Sequence, residues 1–210
     1  MGGRGASSGN GNSGGLGKAI NRLNAKLDPD SSMPVGYEKE AAKVLNGFNA
    51  VLDDFNIKNG VNHIYFGNDV KGAANVDGLG NLEINNNYLK IPKKSSKGYF
   101  TSDTLEGTGA HEAGHRVTNI LLRKNMSGKK ELEIANARSS GKLEKQVIRE
   151  ATKRYGSNPS ISRYGDDSVK EKVAEAFSDV YANGNKANGY SKTIVNVMKD
   201  VNSGKLKVKL

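Results

Sequence analysis

The chain has 210 residues, no cysteine, and 32 lysines and arginines against 22 aspartates and glutamates, for a net charge of +10. This length suits one domain with a real core, and the lack of cysteine excludes disulfides, thiolate metal ligands and cysteine nucleophiles. The basic residues are interleaved with acids, and the only local run is Lys205, Lys207 and Lys209. We therefore expect a solvated basic surface, with nucleic acid unlikely as the main partner.

The N-terminal segment predicts a flexible tail. Eight of the first seventeen residues are glycine, and apolar side chains are nearly absent. Such a segment buries too little surface to offset its ordering entropy. Residues 1–17 are thus predicted to be flexible, with a possible extension to about residue 35, and residues 36–210 to form a single domain. No apolar run suits a signal peptide or a membrane span, so we expect a cytoplasmic protein with no membrane partner.

The remaining chain predicts an α+β fold. The segment 37–56 has apolar residues at the helical period, and 61–66 is β-branched and aromatic, as in a short strand. Residues 72–80 are loop-like, and 82–84 with 88–91 predict a hairpin closed by Pro92. A second loop, 93–99, leads to a long helix. The predicted helices of this second half are 103–123, 142–155, 168–182 and 190–202.

The long helix carries the motif His111-Glu112-Ala113-Gly114-His115. Residues four apart share a helix face, so both imidazoles can bind one metal ion. Glu112 then lies beside the open metal position, where it can take a proton from bound water. Gly114 would let another segment pack close to the metal. His63, the third histidine, lies in a predicted strand and is expected to be a packed or surface residue.

A catalytic zinc site needs a third protein ligand. Neither Thr118 nor Leu121 offers a histidine downstream of the motif, so a carboxylate of the helix 168–182 is the candidate. Glu171 can bind the metal with Glu175 supporting a ligand histidine, or Glu175 can bind it with Asp179 in support, as in the thermolysin group. Ser168 and Glu171 also form a capping-box pattern, which offers Glu171 a purely structural role. The spacing alone leaves these alternatives open.

The motif also has a family resemblance. Together with Tyr164-Gly165 and Glu171-Lys172-Val173-Ala174-Glu175-Ala176-Phe177, it resembles the anthrax lethal factor-like zinc metallopeptidases, a gluzincin-type group whose compact members are the Pro-Pro endopeptidases. Similar endings occur in phage and mobile-element proteins. The chain departs from the secreted members in lacking a secretion signal, in having Lys172 and Val173 where they have bulky aromatics, and in its long insertion between His115 and Tyr164.

The resemblance implies a zincin-like fold and a residue-by-residue site. His111, His115 and Glu171 would bind one Zn²⁺ per chain, and Glu175 would support a ligand histidine. Glu112 would be the general base, and Tyr164 would donate a hydrogen bond to the transition state. The expected function is zinc-dependent endopeptidase activity on a protein or peptide substrate. The alternative is a non-catalytic zincin-like or nucleic-acid-associated accessory protein of a phage or mobile element.

We also expect the substrate to lie extended against an edge strand of the small sheet. The predicted hairpin of 82–91 offers the edge, and main-chain pairing would hold the peptide there.

Overall fold

The computed structural model describes residues 13–90 and 98–210, and these contain eight α-helices and four short strands. In chain order the elements are α1 (Ser13–Leu23), β1 (Lys26–Leu27), α2 (Glu38–Asp54), β2 (His63–Gly67), β3 (Ala74–Val76), β4 (Asn81–Asn85), α3 (Asn86–Lys90), α4 (Leu105–Asn125), α5 (Glu131–Ser139), α6 (Lys142–Tyr155), α7 (Val169–Asn183) and α8 (Gly189–Asn202). The architecture is α+β, as the order of elements predicts. No helix in these ranges is both long and apolar enough to cross a membrane.

The four strands form one mixed sheet in the order β1-β2-β4-β3. The pairs β1–β2 and β2–β4 are parallel, and β3 runs antiparallel to β4 at the edge. The alternation along the central strands sends one set of side chains into the core, namely those of Ile64, Phe66, Leu82 and Ile84. The sheet therefore buries one face against the helices and leaves polar residues on the other.

The predicted hairpin of 82–91 is wrong. Residues 88–91 do not form a strand: Tyr88 to Lys90 lie in α3, and residue 91 is outside the described ranges. The Asn85 side chain donates to the carbonyls of Val70 and Gly72 and accepts from the Asn87 amide, so these asparagine contacts end the strand and begin a helix.

A hairpin does occur one element earlier, inside the segment predicted as loop 72–80. It joins β3 to β4. The Asp77 carboxylate closes its turn by accepting from the amides of Leu79, Gly80 and Asn81. The strand β3 is only three residues long, which is too short to show a period in the sequence. The predicted loop 93–99 falls largely outside the described residues.

The predicted helices agree with α2, α4, α6, α7 and α8 to within a few residues. Three helices were not predicted: α1, α3, which replaces the second strand of the expected hairpin, and α5. The helix α1 corrects the boundary of the tail, because residues 13–17 are helical and Leu16 is buried with Ala19 and Leu23 against α2. The spacing of these three apolar residues is helical, but the glycines and serines around them do not favour a helix. The rest of the predicted tail, residues 1–12, lies outside the described residues.

The helix α4 is the centre of the molecule and packs chiefly against α2 and α7. Its contact with α2 depends on glycine. A Cβ at Gly109 would lie 1.8 Å from the Val44 carbonyl oxygen, and a Cβ at Gly47 would lie 2.0 Å from the Glu106 carbonyl oxygen. The two backbones therefore touch at a distance that no other residue permits, and this contact holds α4 against the core beneath the sheet.

Candidate metal centre

Two histidines on α4 point their ring nitrogens at a common place. The Nε2 atoms of His111 and His115 are 3.2 Å apart, and the rings meet at 79°. The helix begins just upstream, where the Thr104 hydroxyl accepts from the Gly107 amide as an N-cap. The His111 side chain is 11% exposed and that of His115 is 23% exposed, so the pair is sheltered but reachable. This arrangement is the one predicted from the four-residue spacing.

Glu171 completes the cluster from the first turn of α7. Its Oε2 lies 3.1 Å from His111 Nε2 and 3.5 Å from His115 Nε2. The same oxygen is buried and has no hydrogen-bond partner in the described part of the chain. An unpartnered buried carboxylate oxygen is costly. The three atoms thus face one another in a way that a cation would satisfy.

The spacing of the three atoms fits zinc. Zn–N and Zn–O bonds of about 2.0–2.1 Å in a tetrahedron place neighbouring ligand atoms about 3.4 Å apart. The three observed separations are 3.1, 3.2 and 3.5 Å. Two imidazoles and one carboxylate are also a usual donor set for catalytic zinc, with a fourth position left for water. His111, His115 and Glu171 could therefore hold this ion.

Gly114 lets α7 come this close to α4. A Cβ at this position would lie 3.0 Å from the Phe177 ring and 3.2 Å from the Ala174 Cα. The expectation that a glycine between the two histidines admits another segment is confirmed. Because α7 packs here, its first turn reaches the histidines of α4.

Glu175 lies on the far side of the His111 ring. Its Oε1 is 3.0 Å from His111 Nδ1, and its Oε2 accepts from the Thr101 amide at 2.7 Å and the Ser162 hydroxyl at 2.9 Å. Burial opposes ionisation of Glu175, but these donors together hold its pKa below the usual range. Burial lowers the pKa of His111. Its contacts with the Glu171 and Glu175 carboxylates outweigh this effect and raise the pKa to about 10.

These contacts bear on the alternatives for the third ligand. Glu175 uses both carboxylate oxygens on other partners, and it meets His111 at Nδ1 rather than at Nε2. Asp179 accepts from the Asn183 side chain and the Asn188 amide at the other end of α7. The structure thus brings Glu171 to the two Nε2 atoms and brings neither of the other carboxylates there.

Ser168 does cap α7, since its hydroxyl accepts from the Glu171 amide at 3.2 Å. The backbone of Glu171 is therefore part of the cap, as the capping-box pattern predicts. Its carboxylate contacts the histidines instead of closing the box, which leaves the side chain for the metal centre.

Glu112 and Tyr164 line the same cleft. This cleft has a volume of about 1040 Å³, and His111 and Glu175 lie on its wall as well. The Glu112 residue is 8% exposed. The Tyr164 ring is centred 5.7 Å from the His111 ring. Burial of Tyr164 and the charge of Glu171 raise the pKa of its hydroxyl, so it stays protonated and can donate a hydrogen bond.

Two further residues, Thr101 and Ser162, were not predicted. Besides donating to Glu175, the Ser162 hydroxyl accepts from the Gly165 amide. The amides of Arg163 and Tyr164 donate to the carbonyls of residues 98 and 99, so the two segments lie side by side. This pairing ties the Tyr164 turn to Glu175. No motif in the sequence indicates it, because each segment is an irregular stretch more than 60 residues from the other.

His63 takes no part in the cluster. It lies on β2 with an exposed side chain on the polar face of the sheet, which agrees with the surface role expected for it. Among the described residues, the cluster of His111, His115 and Glu171 is the one group of side chains whose donor atoms could hold a metal ion together. No known protein family, curated protein or solved structure matches this chain.

Proposed function

We propose that this protein is a zinc-dependent endopeptidase with one Zn²⁺ per chain. His111, His115 and Glu171 are the proposed ligands. The observation that carries the proposal is the triangle of their ligand atoms, with sides of 3.1–3.5 Å around an unpartnered buried carboxylate oxygen. The motif supplies a glutamate, Glu112, next to the first ligand and facing the same cleft.

The proposed mechanism assigns one task each to Glu112, Tyr164 and Glu175, which line the cleft. Bound zinc supplies Lewis acidity that makes a water molecule acidic near neutral pH. Glu112 accepts the proton as the water attacks the peptide carbonyl and then delivers it to the leaving amine. The Tyr164 hydroxyl donates a hydrogen bond to the developing oxyanion. Glu175 keeps the His111 ring in the tautomer that presents Nε2 to the metal.

The substrate is proposed to pair with β3 rather than with the segment 82–91. That segment is unsuitable because β4 already pairs with β2 on one side and β3 on the other. The strand β3 is the antiparallel edge of the sheet, and Ala74 and Asn75 line the cleft. An extended peptide along this edge would cross the face of α4 near the histidines.

We also propose that the arrangement of the sheet and the site helices is zincin-like. A mixed sheet with an antiparallel edge strand covers the helix that carries both histidines, and a later helix donates the glutamate. This order supports the resemblance to the lethal factor-like metallopeptidases, which stays a proposal.

The decisive test measures metal content and cleavage together. After zinc is supplied and the excess removed, native mass spectrometry should find about one zinc in the wild type and none in Glu171→Ala, since the third ligand is lost. Glu40→Ala is the control and should keep its zinc, because Glu40 is a partly exposed residue of α2 that forms no ion pair with a described residue. Glu112→Gln should also keep zinc but lose cleavage of a peptide library.

Other results would redirect the proposal. Zinc in the wild type without cleavage of any peptide would support a non-catalytic zincin-like protein. A wild type that binds no zinc would contradict the metal centre. If Glu175→Ala loses zinc while Glu171→Ala retains it, the third ligand would be Glu175.

A further inference from the structure

One face of α6 is uniformly basic. Lys142, Lys145, Arg149 and Lys153 are all exposed, and at 3.6 residues per turn they fall within an arc of about 80°. The opposite face, with Leu143, Val147 and Ala151 among others, is buried in the core. The four cations therefore form a row along the outside of the helix.

The C-terminal tail lies beside this row. Its apolar residues Leu206, Val208 and Leu210 are partly buried against the core. The alternating lysines at 205, 207 and 209 are exposed, as expected for an extended segment with one buried side. The side chain of Gln146 accepts from the Lys209 amide at 3.0 Å and donates to the Lys209 carbonyl. These two bonds hold the tail alongside α6, so the two sets of cations form one surface.

None of the seven cations forms an ion pair with a residue in the described part of the chain. Ion pairs in the described ranges use other basic residues: Arg22, Arg123, Arg154, Lys172 and Lys199. On α6 itself, Arg154 is the residue that forms ion pairs, with Glu150 and Asp200. The Glu144 carboxylate lies on the buried side of the helix. Glu144 feels the charge of Lys145 but makes no ion pair with it, so the surface stays strongly positive.

We propose that this surface, which we call the basic face (Lys142, Lys145, Arg149, Lys153, Lys205, Lys207 and Lys209), binds the phosphate backbone of duplex DNA. The row on α6 is about 16 Å long, a length over which one DNA strand presents about five phosphates. The cations are not held in ion pairs with described acidic residues, and phosphate is the polyanion that a row of lysines neutralises by releasing counterions.

The composition of the basic face favours a duplex over a single strand. Proteins that hold single strands stack bases on exposed aromatic rings. The basic face contains no aromatic residue and no amide side chain free to read a base, since Gln146 is bonded to the tail. Binding is therefore independent of sequence. None of its residues lines the cleft of the metal centre, so the two sites act separately.

The test is fluorescence anisotropy with a labelled DNA duplex of about 30 base pairs, over a series of salt concentrations. Seven phosphate contacts give a slope of log K against log salt of at most about −6. The variant with Lys142→Gln, Lys145→Gln, Arg149→Gln and Lys153→Gln should bind at least about tenfold more weakly near 50 mM salt, and its slope should be shallower by about 3–4. Glutamine keeps a good helix propensity, and circular dichroism checks the fold.

A control variant separates the basic face from net charge. Lys39, Lys43, Lys58 and Lys129 are exposed and form no ion pair with any described residue. Changing these four to glutamine removes the same charge and should leave DNA affinity within about twofold. Glu171→Ala should also bind DNA as the wild type does, so failure of the metal proposal does not affect this result.

Three results would overturn the proposal: no DNA binding by the wild type, an equal loss in the control variant, or tighter binding to phosphatidylserine vesicles than to DNA. Gln146→Ala adds a check of the shared surface. It releases the tail from α6, so it should weaken binding without removing any charge. Unchanged affinity in Gln146→Ala would contradict the shared surface, and unchanged affinity in the four-residue variant is a fourth result that would contradict the whole assignment.

Discussion

His111 uses both of its ring nitrogens, and this double use separates the roles of two glutamates that the sequence places one turn apart. Nδ1 meets Glu175, while Nε2 faces His115 and Glu171. A carboxylate on Nδ1 orients the ring and favours the tautomer whose Nε2 lone pair is free for a metal. The support extends further, because Thr101 and Ser162 hold the second oxygen of Glu175. The His111 ring is thus positioned by Glu175 and, through it, by Thr101 and Ser162.

Tyr164→Phe tests the proposed oxyanion donor at the scale of one atom. If the hydroxyl stabilises only the transition state, kcat should fall by about 10²–10³, equivalent to about 2.7–4 kcal/mol, while KM and zinc content stay close to wild type. Steady-state kinetics on a cleaved peptide and metal analysis measure both. The variant keeps the ring that packs against Phe100, so the fold is preserved. An unchanged kcat would remove Tyr164 from the mechanism.

The helices of the site pack closely because glycines at their contacts have no side chain. In isolation, Gly107, Gly109 and Gly114 each weaken α4 by about 1 kcal/mol relative to alanine. In the fold, Gly109 touches the backbone of α2, and Gly114 admits Phe177 and Ala174 of α7. The local cost is offset by close packing on both sides, which puts the metal ligands on a helix fixed between two neighbours.

Gly109→Ala should therefore destabilise the protein, although alanine is the better helix former. The added methyl would meet the Val44 carbonyl at 1.8 Å, so α2 and α4 must separate. We expect the free energy of unfolding to fall by about 1–3 kcal/mol or more in urea titration. Gly17→Ala, in α1 with no atom within 4 Å of the new methyl, is the control and should raise it by up to about 1 kcal/mol. Equal effects of the two changes would argue against the close contact.

At the scale of the whole molecule, the proposed metal ligands come from two parts of the chain that lie far apart in sequence. His111 and His115 belong to the helix that contacts the sheet half, while Glu171 begins a helix of the C-terminal half. Between them in the chain lie α5 and α6, which supply none of the three proposed ligands. A metal bound at this junction would therefore stabilise the contact between the halves as well as perform chemistry.

Removal of the metal should accordingly lower thermal stability. At free zinc about a thousandfold above its dissociation constant, binding adds about 4 kcal/mol, which for a chain of this size corresponds to a Tm about 8–16 °C higher than that of the chelated protein. Differential scanning calorimetry with and without a chelator measures the shift. Glu171→Ala should show the same Tm in both conditions. A wild type insensitive to the chelator would contradict a structural contribution from the metal.

The sequence determined the features that depend on neighbours along the chain. The four-residue spacing of His111 and His115 places both rings on one face of any helix, and the apolar periods of α2, α6 and α8 predict those helices without further information. The same reasoning failed for the segment 82–91, where asparagine contacts with residues 70 and 72 end the strand. It also missed α1, because its apolar residues stand among glycines and serines.

Tertiary structure decided the contacts between distant segments. Both Glu171 and Glu175 have a spacing compatible with a ligand, and only the packing of α7 against Gly114 brings Glu171 to the Nε2 atoms. The edge of the sheet also depends on such contacts. So does the basic face, because α6 and the tail bonded to it bring together lysines that are scattered in the sequence. Helix geometry is local and can be read from spacing, whereas the approach of two helices depends on every side chain between them.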